Sequence, residues 1–364
     1  MKIGLYSPFA AETLGGGERY LLTIAECLLK DNQVDLIVAK NKSDLIPGLK
    51  QKFKNSFNLK LNNLRIVTGP FGGEGSARER WSFSKNYDVF YYMTDGSFFI
   101  SGAKRNIAHF MIPFNKPPGL SQRIKLNTWQ IKTTHSYFCQ KALERIWKIK
   151  INYVHHGAVD SKLFRPMAKK KLILSVGRFI SPEGGKHCKR QDFLVTTFKK
   201  MCDAGLKGWE LVLTGAVEKG EDNFNYLKSV KKLAKGYPIK FHLDADFDQL
   251  LADYGKSKIY WHATGYGKDE KTDPQVFEHF GISTIEAMAA GAVPVVIAKG
   301  GQPEIVNDGQ NGMLWRDQGQ LVRQTLSLIN NDRRRQQLSK AARKRSENFS
   351  LTKFYQTAYK IFGL

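Results

Sequence analysis

The feature that most constrains this chain is the regular alternation of short apolar, β-branched runs with stretches of helical period. "VDLIVAK", "LRIVTG", "YDVFYY", "NIAHFMI" and "INYVHHG" in the first half, and "KLILSVG", "WELVLTG", "IKFHLDA", "KIYWHAT" and "AVPVVIA" in the second, are separated by segments long enough to hold a helix. Strands interleaved with helices in this way build parallel sheets covered by helices. The halves also begin alike: "KIGLYS" leads into a glycine-rich turn and a helix, and "KLILSVGR", starting at residue 171, does the same. The pattern predicts an α/β protein of two doubly wound, Rossmann-like domains facing a central cleft, which suits a length of 364 residues. The expected first domain is 1–165, with the closing amphipathic helix 350–364 crossing back onto it. The second is 166–349, with the joint near "DSKLFRPMAKKK". Ligands of such sheets sit outside the carboxyl ends of the strands.

Charge narrows the partners. The chain carries 57 Lys and Arg against 33 Asp and Glu, a net +24, and residues 1–165 hold 25 of the bases against 12 acids. "DRRRQQLSKAARKR" near the end adds seven bases against one acid. Such an excess suits a membrane surface, a nucleic acid or a phosphorylated substrate, beside its plain use for solubility. Basic and apolar residues mix in "KNKSDLIPGLKQKFKNSFNLKLNN" and "PPGLSQRIKLNTWQIK", a composition suited to anionic lipid headgroups or to core-facing helices with solvated outer faces. No apolar run reaches the roughly 18 residues of a membrane span. The start lacks the form of a secretion signal, and Cys27, Cys139, Cys188 and Cys202 show no paired spacing. A cytoplasmic protein, peripheral at the cytoplasmic face of a membrane in one reading, is expected.

Several motifs reduce to bland duties. "LGGGERYLL" opens a helix with Gly15, Gly16 and Gly17, whose amides can approach a phosphate or sugar, but Tyr20 stands where a dinucleotide fingerprint needs its third glycine. "DADFD" fails as a calcium loop because Gln249 and Gly255 occupy its glycine and glutamate positions, so its acids are expected to cap the next helix. His155, His156, His187, Cys188 and His262 lack metal-ligand spacing. In "EHFGISTIEAMAAGAVPVV", Ser283 and Glu286 match a capping box and Gly291 would end the helix. Glu278 has no such duty. Two glycine-rich loops, around Gly281 and in "KGGQPEIVNDGQNG", beside an exposed helix N-terminus suit a phosphorylated ligand.

These segments carry a resemblance. "VGRFISPEGGKHCKRQDFLVTTF", "EHFGISTIEAMAAG" and "GGQPEIVNDGQNGMLW", in that order, resemble the nucleotide-sugar domain of the retaining glycosyltransferases of GT-B architecture, family 4, with its E-x7-E motif. "GGGERY", "NIAHFMIPF" and "VHHGAVDSKLFRP" are similar more loosely. The resemblance implies that Arg178 and Lys189 grip the donor diphosphate, although a long spacer lets Lys186 compete with Lys189. It implies that Glu278 lies beside the donor sugar, that Glu286 accepts bonds from the ribose, and that the amides of Gly281, Ile282 and Ser283 face the phosphates or sugar. His109 would contact the donor sugar and transition state, or else be a buried structural histidine. Gly16 and Gly17 would approach the diphosphate and acceptor. With two fixed cations at the phosphates, no metal or other cofactor is expected. The implied partners are a GDP-mannose or UDP-glucose type donor and a glycan or lipid-linked glycan acceptor, with no nucleic acid. A nucleotide-sugar 2-epimerase of the same architecture and a basic nucleic-acid-binding protein are the alternatives.

Overall fold

The structure, a computed structural model, describes residues 1–10, 15–57, 59–183 and 187–364, with Asn55 and Ser56 described by backbone alone. The chain divides into two compact units, Met1–Gly157 with Thr352–Leu364, and Ala158–Leu351. In each, a fully parallel sheet is wrapped by helices, so the expected pair of Rossmann-like α/β domains is present.

The first unit is built on β1 (Lys2–Tyr6), β2 (Gln33–Ala39), β3 (Arg65–Gly69), β4 (Val89–Thr94), β5 (Arg105–Phe110), β6 (Ile131–Thr134) and β7 (Tyr153–Val154). Their order is β3-β2-β1-β4-β5-β6-β7. Its core is aromatic: Phe71, Phe90, Tyr92, Phe99 and Trp129 pack together on one side of the sheet. The chain's last helix, Leu351–Phe362, completes this unit, with Phe354 against His155 at 4.0 Å between ring centres and Phe362 stacked on Tyr91 at 5.5 Å.

The second unit is built on β8 (Leu172–Val176), β9 (Glu210–Gly215), β10 (Ile239–Leu243), β11 (Ile259–His262), β12 (Val293–Ile297) and β13 (Met313–Trp315), in the order β10-β9-β8-β11-β12-β13. Ile173, Leu211, Leu213 and Trp261 pack under helices on one face, while Leu174, Val212 and Tyr260 pack against Ile285 and Met288 on the other. Burial on both faces explains why these strands read as continuous apolar runs, and each fully buried side chain of this size contributes about 1.5–3 kcal/mol. The strand order reverses between β8 and β11, which opens a crevice at their carboxyl ends.

The unit boundary, at Gly157, falls ahead of "DSKLFRPMAKKK". The Val159 amide donates to the Phe349 carbonyl at 2.9 Å and Phe164 is buried in the second core, so the segment from residue 158 onward folds with the second unit. Strands β6 and β13 were not expected from the sequence. Asp246 caps the helix Phe247–Lys256 through a bond from the Gln249 amide at 2.8 Å, the duty expected of the "DADFD" acids. Among the described residues no helix is long and apolar enough to cross a membrane.

Candidate active site

Three glycine-rich connections meet at the carboxyl ends of the central strands of the second sheet. β8 runs into Gly177 and Arg178. A Cβ on Gly177 would lie 2.6 Å from the Lys189 Cγ, and one on Gly215, at the end of β9, would collide with the Gly177 carbonyl. Bare backbone at both positions lets the Lys189 stem cross the strand end. Lys189 itself sits just before the helix Gln191–Asp203.

Lys189 ends on Glu278. Its Nζ donates to Glu278 Oε2 at 2.6 Å and to His187 Nε2 at 3.1 Å, while His262, the last residue of β11, donates from Nε2 to the same Glu278 oxygen at 2.8 Å. The tautomer follows from chemistry, because an ionised carboxylate only accepts. That leaves the buried His262 Nδ1 as a lone pair with no partner among the described residues. Glu278 and Lys189 are only 12% and 18% exposed. Burial would raise the Glu278 carboxyl, but the Lys189 ammonium and then His187 and His262 outweigh it and hold it well below the usual carboxylate range. His187 is pushed down to about 3 by burial and then by Lys189, against the pull of Glu278. His262 is also lowered by burial, partly offset by Glu278. Both imidazoles are therefore neutral at pH 7, and the charge of the Lys189 ammonium is balanced by Glu278.

Beside this ion pair a helix presents its bare N-terminus. Gly281 is its N-cap at φ 114°, a left-handed conformation that suits glycine, and a Cβ there would lie 2.6 Å from Gln302 Nε2. The helix Ile282–Ala289 makes no side-chain cap bond, and the amides of Ile282 and Ser283 find no acceptor among the described residues. Such amides, at the positive end of the helix dipole, suit an anion. The turn Gly300–Gly301 closes against the same segment: the Gly301 amide donates to the Glu278 carbonyl at 2.7 Å, and a Cβ on Gly301 would lie 2.6 Å from the Phe280 carbonyl oxygen.

The capping box expected at Ser283 and Glu286 does not form. The helix starts two residues too early, so Ser283 accepts a bond from Tyr260 Oη at 2.8 Å, and Glu286, one turn further in, accepts one from Tyr254 Oη at 2.8 Å. Gly291, at φ 79°, does end the helix as expected.

Other predicted residues have partners of their own. Arg178 is half exposed and pairs with Glu218, which follows β9. Lys186 lies outside the described residues. In the first unit, His109 on β5 is fully buried: its Nδ1 meets Thr133 Oγ1 at 2.8 Å, its Nε2 meets Met111 Sδ at 3.2 Å, and its ring stacks on Tyr20 at 4.7 Å. Gly16 and Gly17 open the helix Gly16–Leu28, where Glu18 takes the Gly15 amide at 2.9 Å. The sequence reading missed His187, His262, Gly177 and Tyr254. The available signals were a histidine closing the apolar strand "KIYWHAT" and another two residues before Lys189.

Two parallel Rossmann-like units, one with a charged, glycine-lined crevice at its strand ends, are the GT-B architecture, and the comparisons with known proteins agree on that fold. Residues 161–345 match the family described as "Glycosyl transferases group 1", and the chain belongs to it. A glycogen synthase of Desulfatibacillum aliphaticivorans is 29% identical over 113 residues, 28% of this chain and 21% of that one. A "GDP-Man:Man(3)GlcNAc(2)-PP-Dol alpha-1,2-mannosyltransferase" of Xenopus laevis is 28% identical over 131 residues, 35% of this chain and 24% of that one. The matches thus span a quarter or less of these relatives' length. The fold matches that of Anabaena Alr3699/HepE, solved with UDP-glucose, over 100% of this chain and 99% of that one, with a TM-score of 0.72 at 18% identity.

Proposed function

We propose that this enzyme is a family 4 glycosyltransferase that moves a hexose from a nucleotide diphosphate sugar, of the GDP-mannose or UDP-glucose type, to a hydroxyl of a glycan or lipid-linked glycan, with retention at the anomeric carbon and without a metal. The observation that carries the proposal is the buried Lys189–Glu278 pair beside the uncapped N-terminus of the helix Ile282–Ala289. Family membership favours transfer over the epimerase alternative.

In this mechanism the bond between the anomeric carbon and the diphosphate oxygen breaks while the acceptor oxygen bonds to that carbon on the same face. The acceptor proton passes to the departing diphosphate. Negative charge grows on that group as it leaves, and fixed donors aimed at it lower the barrier. The Ile282 and Ser283 amides, with Gly281, supply the helix end. Lys189 supplies one cation, and Arg178, free to swing from Glu218 because it is half exposed, supplies the other. Glu278, kept ionised by Lys189 and His262, accepts bonds from sugar hydroxyls, and Glu286, oriented by Tyr254, accepts them from the ribose. His109 is the sugar contact supplied by the first unit, a role that requires Met111 to give way from its Nε2. Gly16 and Gly17 lie on the loop that approaches the diphosphate and acceptor.

A thermal-shift screen of UDP, GDP, ADP and their sugars identifies the donor, since a ligand that binds only the folded state raises the melting temperature. Product analysis with that donor then reads transfer. Unchanged transfer by both Glu278→Gln and Arg178→Ala would refute the site.

A further inference from the structure

We propose that the helix Leu120–Asn127 docks this protein on the surface of an anionic lipid bilayer. Of the two segments whose composition mixes bases with apolar residues, the structure separates one from the other. In "KNKSDLIPGLKQKFKNSFNLKLNN", Leu49, Phe53 and Leu61 are buried, so that segment serves the core. In "PPGLSQRIKLNTWQIK", Leu120 is 77% and Ile124 59% exposed, the two highest values for any large apolar side chain among the described residues.

They stand one turn apart on the same helix. At about 100° per residue, Leu120 and Ile124 share one face, and Gln122 and Leu126 share the opposite one. The inner pair anchors the helix: Leu126 is buried in the aromatic core, and Gln122 Oε1 accepts the Phe98 amide at 2.6 Å. The outer pair is an aliphatic ridge that no described residue covers.

The charge around the ridge is of one sign. Arg123 and Lys125 flank it and Lys116 precedes it, and no ion pair joins any of the three to a carboxylate among the described residues. Arg123 is held by the Trp147 carbonyl at 3.3 Å, which brings the helix beside the loop carrying Lys148 and Lys150. From residue 96 to residue 143 the sequence holds seven Lys and Arg and no Asp or Glu. An aliphatic ridge bordered by bases fits a surface that offers acyl chains beneath negative headgroups, with the leucine and isoleucine inserting and the lysines reaching the phosphates. A nucleic acid would satisfy the bases and leave the ridge in water. The proposal adds a partner to the transferase reading, and its test needs no donor, so the two stand or fall separately.

The test is flotation of the full chain with phosphatidylcholine vesicles, with and without phosphatidylglycerol, beside analytical ultracentrifugation of the protein alone. The wild type is expected to float with the anionic vesicles at low salt and not with pure phosphatidylcholine. Leu120→Gln/Ile124→Gln should weaken the partition about tenfold or more, and Lys116→Glu/Lys125→Glu should abolish it. Both pairs are solvent-facing, so melting temperatures should stay unchanged. The proposal is overturned by absence of flotation, by flotation that survives both pairs of substitutions, or by a wild-type dimer that the glutamine pair dissociates, which would make the ridge a contact between copies.

Discussion

Each unit buries a histidine in the carboxyl half of a parallel strand, and the two are held in opposite ways. His109 lies among neutral partners, Thr133, Met111 and the Tyr20 and Tyr91 rings, and burial drives its imidazole well below its ordinary range. His262 is equally buried but faces a carboxylate and an ammonium. The first arrangement is closed, because every polar atom of the ring already has a neighbour. The second is poised, because its ammonium and carboxylate stand beside unsatisfied backbone donors, where the proposed diphosphate would compete with Glu278 for Lys189. Burial alone therefore does not mark a site. A buried charge pair beside unsatisfied backbone donors does.

Breaking that pair should have the largest effect. Glu278→Gln is expected to lower transfer by about two to three orders of magnitude, the scale of losing a group that stabilises developing charge. Lys189→Met should do the same and also cost about 3–5 kcal/mol of stability in urea titration, since it strands a buried carboxylate. In the double variant most of that stability should return while transfer stays low. Next in size is Gly177→Ala. Its Cβ would press on the near end of the Lys189 stem and force it to shift, so a fall of about tenfold in kcat/KM, or about 1.4 kcal/mol, is expected together with some loss of stability.

Acid should destabilise both regions through a buried histidine, and the second through a carboxylate as well. His155 and His187 are each held at about 3, against about 6.5 unfolded. Between those values the unfolded chain binds more protons, so stability should fall as the pH drops from about 6.5 toward 3. Glu278, depressed in the folded state, adds a loss that begins only below the unfolded carboxyl value of about 4.3 and continues as the pH falls through its folded value. Urea unfolding at a series of pH values checks this, and a flat profile from pH 7 to 4 would contradict it.

The smallest and most discriminating change is Gly17→Ala in the first unit. The nearest atom to its Cβ would be Met93 Sδ at 3.9 Å, and the residue is helical, so stability should hold or rise by up to about 1 kcal/mol. Reduced transfer in that variant would report close backbone approach to the ligands.

Most of the architecture was legible because parallel strands buried on both faces announce themselves as apolar runs. β6 and β13 were not, because "IKTT" and "MLW" are too short to show a period and depend on neighbouring strands for their shape. At the site, the glycines and the order of charged residues were visible, but pairing was not. Glu278 and Lys189 are 89 residues apart, and only the fold brings them together. The capping box failed for a local reason: Gly281 reaches a left-handed turn at no steric cost, starts the helix first, and releases Ser283 and Glu286 to the tyrosines. His262 was dismissed because its spacing suited no metal, and its actual partner is a carboxylate.

The return of the last helix to the first unit has a consequence for synthesis. The strands of the first unit are made before the second unit, yet Phe354 and Phe362, which cover His155 and Tyr91, are made after it. The N-terminal unit therefore cannot close until the whole second unit has been synthesised. A premature stop near residue 350 would be a lesion of the beginning of the protein, felt at its end.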